Sequence, residues 1–214
     1  MMHSSLPPET TLGFKAICLR ALCYILIVAG IMQLVMLDAQ SGVDRFSETS
    51  LTELTQSTLL LLSSLLMVYI YRRPDAIPHV SLLLGAFLFA SFVRENDAWL
   101  DSYVFDGAWQ VIVTLIVLPT LFVVIRHRHA FAEEFKSISN SLGFGMFAAG
   151  FLTTYVFSRL YGRSEFWEAM LGDHFQRVIK DAAEEVTELA GYMLLFFACI
   201  ELVLLVRRRF RHHG

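Results

Sequence analysis

Six apolar runs, each of a length that can cross a lipid bilayer, recur within 214 residues, and nothing else in the sequence restricts the fold as strongly. A hydrocarbon core near 30 Å takes about 20 helical residues. The runs fall at 16–37, 51–71, 78–98, 108–125, 139–158 and 188–206. A chain that is 56% hydrophobic and 17% charged, with a mean hydropathy of +0.56, is too apolar for an ordinary soluble domain. The expected fold is therefore an all-α integral membrane protein: a six-transmembrane-helix bundle forming a single polytopic membrane domain over 1–214. The first run has no small-residue cleavage site and continues through Gln33 and Met36, so it reads as a retained helix.

Lysine and arginine orient the bundle. If six helices alternate, Lys15, Arg20, Arg72, Arg73, Arg126, Arg128, Lys136 and the terminal arginines share one side, which holds 11 of the 17 basic residues. By the positive-inside rule that side is cytoplasmic, and both termini lie there. The opposite side carries six basic residues against 15 acidic ones, among them Asp44, Glu48 and Arg45. Insertion does not call for this surplus, because acidic residues contribute little to topology. Short loops and small size point to a prokaryotic plasma membrane.

Cys18, Cys23 and Cys199 all lie within predicted spans, which leaves no external pair for a disulfide and gives them packing roles. No linker, low-complexity tract or internal repeat divides the chain. The connections 72–77 and 126–137 are too small for a folded module. The segment of about 164–187 is amphipathic. Phe166, Met170 and Leu171 form one apolar face, and Phe175, Val178, Ile179 and Ala182 recur at helical spacing. It reads as a short interfacial helix anchored by Trp167, followed by a long helix that starts near Asp173, where Gln176 completes a capping-box spacing, and continues into the sixth span. In the fifth span Ser141, Gly145, Ala149 and Thr153 form a small-residue stripe, suited to packing inside the bundle or to a homodimer seam.

The third span holds the most pointed signal. Only 14 uncharged residues separate His79 from Arg94, about 21 Å of helix at 1.5 Å per residue. Arg94, Glu95 and Asp97 therefore sit at or inside the outer leaflet, where charge is expensive and faces the bundle interior, a partner or a functional path. Helical spacing pairs Arg94 with Asp97 and leaves Glu95 in need of another partner. Glu53 and Gln56 on the second span, and Lys180, Glu184 and Glu188 on the helix entering the sixth, reach the same level, so Glu53, Glu95 and Glu188 are expected to converge.

Plainer roles exist for several of these residues. Ser50 and Glu53 match a capping box, Glu184 can pair with Lys180 and Asp181 with Arg177, and Trp99, Trp109, Trp167, Tyr103 and Tyr161 suit an aromatic belt. Glu201 lies close enough to the basic tail for an interfacial ion pair.

Carboxylate oxygens suit a divalent cation or protons, with Glu53, Glu95 and Glu188 as the candidate metal ligands. Zinc and haem are disfavoured: His174 is the one histidine on the outer face, and the others, including His212 and His213, are cytoplasmic. The sequence contains no H-E-x-x-H, G-x-S-x-G, Walker A or G-x-G-x-x-G motif. Its basic residues follow membrane topology and suggest no nucleic-acid partner. The expected function is an acidic pocket, open to the extracytoplasmic side, built from Glu53, Gln56, Arg94, Glu95, Asp97, Lys180, Glu184 and Glu188. It binds a cation or a lipid-like or small ligand, with an interfacial enzyme as its extension. The alternatives are a cation- or proton-linked transporter and a noncatalytic subunit or assembly factor of a membrane complex.

Overall fold

A computed structural model describes residues 13–40, 50–73 and 76–211, with side chains through Arg209. Asp44, Arg45, Glu48, His212 and His213 lie outside these residues. Every regular element among the described residues is helical. In chain order they are α1 (Phe14–Gln40), α2 (Leu51–Tyr71), α3 (Pro78–Glu95), α4 (Asp97–Tyr103), α5 (Ala108–Arg126), α6 (Arg128–Ile138), α7 (Leu142–Leu152), a π-helical turn (Thr153–Phe157), α8 (Ser158–Tyr161), α9 (Ser164–Leu171), a 3₁₀ turn (Gly172–His174) and α10 (Arg177–Arg211).

Four helices are long and apolar enough to cross a membrane: α1, α2, α5 and Arg177–Arg209 of α10. A fifth span results if α6 and the run Leu142–Tyr161, bent by 101° at their junction, are taken as one. The third expected span falls outside this group. α3 has 18 residues, begins with Pro78 and His79 and ends in Arg94 and Glu95, so its apolar stretch is short for the reason the charge spacing gives.

α10 is the central element, packed against α2 and α7, while α2 also packs on α3 and α3 on α5. Leu189, Leu195, Ala198, Cys199 and Leu202 of α10 are wholly buried. Close approach replaces hydrophobic drive as the organising force between helices in an apolar surrounding, and glycine supplies it here. A Cβ on Gly150 of α7 would lie 2.9 Å from both Gly191 O and Leu195 N of α10. The contacting set in the fifth run is therefore Gly143, Phe147, Gly150 and Thr154, all buried. The stripe of Ser141, Gly145, Ala149 and Thr153 contains no buried residue, and Gly145 and Ala149 are exposed, which corrects its expected packing role inside the bundle.

α1 and α5 present apolar surface outward: Leu19, Leu22, Ile25 and Leu26 on one, Leu115, Leu118 and Phe122 on the other, are more than half exposed. A patch of that size is a liability in water and ordinary against lipid.

Several connections depart from the sequence reading. The segment after Arg126 is not a bare loop but the amphipathic helix α6, whose Glu134 accepts from Val80 N at 2.9 Å and meets His79 Nδ1 at 2.6 Å, closing the N-terminus of α3. Gly107, at φ +83°, turns α4 into α5 and donates its N–H to Asp101 at 3.0 Å. α10 runs unbroken through the sixth apolar run, as expected, but begins at Arg177. Asp173 lies in the preceding 3₁₀ turn, so the capping box of Asp173 and Gln176 is not formed. The short helix α9 exists, yet Trp167 is buried with its Nε1 donating to Tyr161 O at 2.8 Å. It packs inward rather than anchoring an interface, and Phe166 and Met170 are the exposed large apolar residues of α9.

Candidate functional site

The end of the bundle that holds the C-termini of α1 and α3 and the N-terminus of α2 gathers the acidic residues. Asp38, buried near the end of α1, accepts from the N–H (3.3 Å) and hydroxyl (2.6 Å) of Thr52 in the first turn of α2. A carboxylate there satisfies orphan donors and opposes the helix dipole. Ser50 caps the same helix, its Oγ accepting from Glu53 N at 3.2 Å, so the serine half of the expected capping box is present.

The last turn of α3 fixes the centre of the site. Asn96 Nδ2 donates to Phe92 O at 2.7 Å and to Ser57 Oγ at 3.1 Å, which ends α3 and starts α4 in a new direction. The break separates Arg94 from Asp97, whose carboxylate turns to the N–H of Ala98 at 2.7 Å. The expected pair of Arg94 with Asp97 is therefore corrected: Arg94 Nη2 binds Glu95 Oε1 at 2.5 Å. The same oxygen accepts from Tyr192 OH on α10 at 2.8 Å, so the missing partner of Glu95 is a tyrosine from the central helix.

Glu185, Glu188 and Tyr192 recur on one face of α10. Gln56 of α2, fully buried, donates to the main-chain oxygen of Glu185 at 3.1 Å and to its Oε2 at 3.0 Å. Glu188, also buried, meets Arg159 Nη2 at 2.9 Å and Ser158 Oγ at 3.3 Å. The π-helical turn before Ser158 inserts an extra residue into the helical repeat and so resets the direction in which Ser158 and Arg159 project. Ser158 Oγ also donates to Thr154 O, and Thr154 Oγ1 to Glu188 O at 3.4 Å. Arg159 continues to Glu184 at 3.2 Å, and Lys180 holds Glu184 at 2.6 Å and Asp181 at 3.3 Å. The predicted pairs of Lys180 with Glu184 and Arg177 with Asp181 (3.6 Å) are both present.

Beside this network opens a cavity of about 600 Å³ lined by Glu53, Arg94, Glu95, Asn96, Asp97, Ala98, Trp99, Ser102, Tyr103, Trp109, Arg159, Glu185 and Glu188. Five of the eight residues singled out in the sequence, Glu53, Arg94, Glu95, Asp97 and Glu188, share this wall. Gln56 stands one hydrogen bond behind it, while Lys180 and Glu184 reach it only through Arg159. Among the described residues no group of three His, Cys, Asp or Glu side chains is placed to hold a metal ion. Glu53, Glu95 and Glu188 thus share a cavity without forming a ligand set. Sequence reasoning placed Arg159 among the outer-side charges and Glu185 beside Glu184 and Glu188 on the helix leading into the bilayer without assigning either to the pocket, and it passed over Tyr192. A lone tyrosine four residues beyond Glu188 in an apolar run is the signal that marks the last of these.

Four or five apolar helices long enough to cross a membrane, with a charged cavity at one end, are compatible with a helical membrane protein, and the fold defines the class no more finely than that. The chain matches no family model, and no similar curated protein or solved structure was found.

Proposed function

We propose that this chain is a multi-pass plasma-membrane protein whose six apolar runs all cross the bilayer, with both termini cytoplasmic, and that its extracytoplasmic end binds a small or lipid-like ligand carrying positive charge. The observation that carries this reading is the cavity of about 600 Å³ in which five carboxylates face two guanidinium groups. Its size falls within the roughly 300–1,000 Å³ of small-molecule sites. Ionisable groups at membrane depth are costly to place and mark binding sites or ion paths. The orientation is supported by the basic residues at the opposite end of the bundle. A continuous polar path is not needed for binding, and the core between Glu188 and Glu201 on α10 is apolar.

Native mass spectrometry of gently purified protein, wild type beside Glu188→Gln, tests the reading. Arg159 keeps Glu184 as its second partner in the variant, so the bundle is expected to stay folded. The wild type is expected to retain a bound species that the variant loses. A wild type that carries nothing and takes up nothing from lipid extract or added cations would remove the binding function.

A further inference from the structure

α2 and α5 both pack on α3 but scarcely touch each other, and the space between them is a groove of about 300 Å³. Its walls are Leu61, Leu65, Val68 and Tyr71 of α2 and Ile116 and Thr120 of α5. Leu65, Val68 and Tyr71 are exposed, so the groove is open along this rim. Ser81, Gly85 and Ala86 of α3 keep the floor low with small side chains. The hydroxyls of Ser64 and Ser81 donate to Leu61 O at 2.8 Å and Pro78 O at 3.1 Å within their own helices. Neither asks a ligand for a partner. From Leu61 to Tyr71 the wall runs about 15 Å along α2 at 1.5 Å per residue, the depth of one leaflet of a hydrocarbon core near 30 Å.

At the Tyr71 end the groove meets positive charge. Arg72 caps α2, Arg73 follows it, and both are exposed. Arg73 Nη2 donates to Tyr69 OH at 2.7 Å, and Arg207 Nε of α10 donates to the same oxygen at 3.1 Å. Both guanidinium groups also lie over the Tyr69 ring, 4.6 and 5.5 Å from its centre. A neutral phenol thus holds two arginines side by side. Among the described residues no carboxylate pairs with Arg72, Arg73 or Arg207. Asp75 lies outside those residues and is one charge against three. Basic clusters at the ends of membrane helices attract anionic head groups, and a leaflet-deep apolar groove takes the chain attached to one.

We propose that one anionic phospholipid is a resident of this groove. An acyl chain lies along α2 between α2 and α5, and the phosphate accepts from Arg72 and Arg73, with Arg207 adding to the field behind them. Guanidinium groups without counter-charge favour a net negative lipid over a zwitterionic one, whose amine they repel. The site is separate from the acidic cavity and depends only on the chain crossing a membrane.

The test titrates full-length protein in detergent with phosphatidylglycerol and with phosphatidylcholine of the same acyl chains, and native mass spectrometry reads the first lipid bound. The wild type is expected to prefer phosphatidylglycerol by about tenfold or more. The double variant Arg72→Gln, Arg73→Gln is expected to lose that preference. Ala86→Phe, which fills the floor, is expected to lose both lipids, and thermal unfolding checks the fold of each variant. Photolysis of a phosphatidylglycerol with a diazirine on its acyl chain locates the site without any substitution. Crosslinks are expected in 61–71, 81–89 and 116–120 above the level at α1, whose exposed leucines meet bulk lipid. Equal affinity for the two lipids overturns the head-group assignment. Labelling no stronger than at α1, or a folded Ala86→Phe that binds as the wild type does, overturns the groove as a lipid site.

Discussion

Glu201 illustrates what a single buried charge does in this chain. It is 3% exposed, and its two oxygens take Arg20 Nη1 and Tyr24 OH of α1, each at 2.7 Å. α1 makes few other contacts with α10, so this pair is the main polar tie between the first helix and the centre. Glu201→Gln leaves a half-buried guanidinium without its counter-charge and is expected to lower stability by about 2 kcal/mol, less than a fully enclosed pair because Arg20 retains some exposure. Thermal unfolding in detergent measures it, with the exposed Asp173→Asn as the control expected to change nothing. The sequence places Glu201 at the basic end but not against Arg20, because the tail arginines are nearer along the chain and only tertiary packing brings α1 alongside. Arg94 and Asp97 fail for a related reason. Extrapolating helical spacing across Asn96 assumes an unbroken helix, and two hydrogen bonds from the asparagine side chain end it there.

At the scale of helices, the boundaries 51–71 and 108–125 were legible almost to the residue, since an apolar run between polar flanks is the strongest signal a membrane sequence carries. The facing of each helix was less so. Two small-residue stripes interleave in the fifth run, and nothing in the sequence says which one meets α10. Gly150 against Gly191 decides it. Gly150→Val is accordingly expected to force α7 from α10 and cost about 1–3 kcal/mol, whereas Gly145→Val, with open space at its Cβ, is expected to cost far less. Thermal melts of both variants in one detergent give the comparison. A larger loss at Gly145 would assign the outward stripe to a contact between copies. The same limit hid Arg159: it reads as a loop charge until the π-helical turn directs it at Glu188.

The arrangement of the whole molecule turns on the pair formed by α6 and the run Leu142–Tyr161. That run is 20 residues, about 30 Å of helix, long enough to cross a hydrocarbon core. α6 meets it at 101°, with Phe131 and Phe135 beside Arg128 and Lys136, the pattern of a helix lying along an interface. If the run crosses, α9 stands on the side opposite α6 and the end of α10. If it turns back, α9 shares the side of α6. Single cysteines placed at Glu168, Arg128 and Arg209, in a background where Cys18, Cys23 and Cys199 are replaced by serine or alanine, distinguish these arrangements. A membrane-impermeant maleimide applied to intact cells is expected to label position 168 alone, and positions 128 and 209 only after permeabilisation. Labelling of 168 and 128 together would make the bent pair a re-entrant element, reduce the number of crossings, and move the cavity's opening relative to the cytoplasm. The acidic end and the cavity beside it would be unchanged by that outcome, because they are set by contacts among α2, α3, the turn at Ser158 and α10.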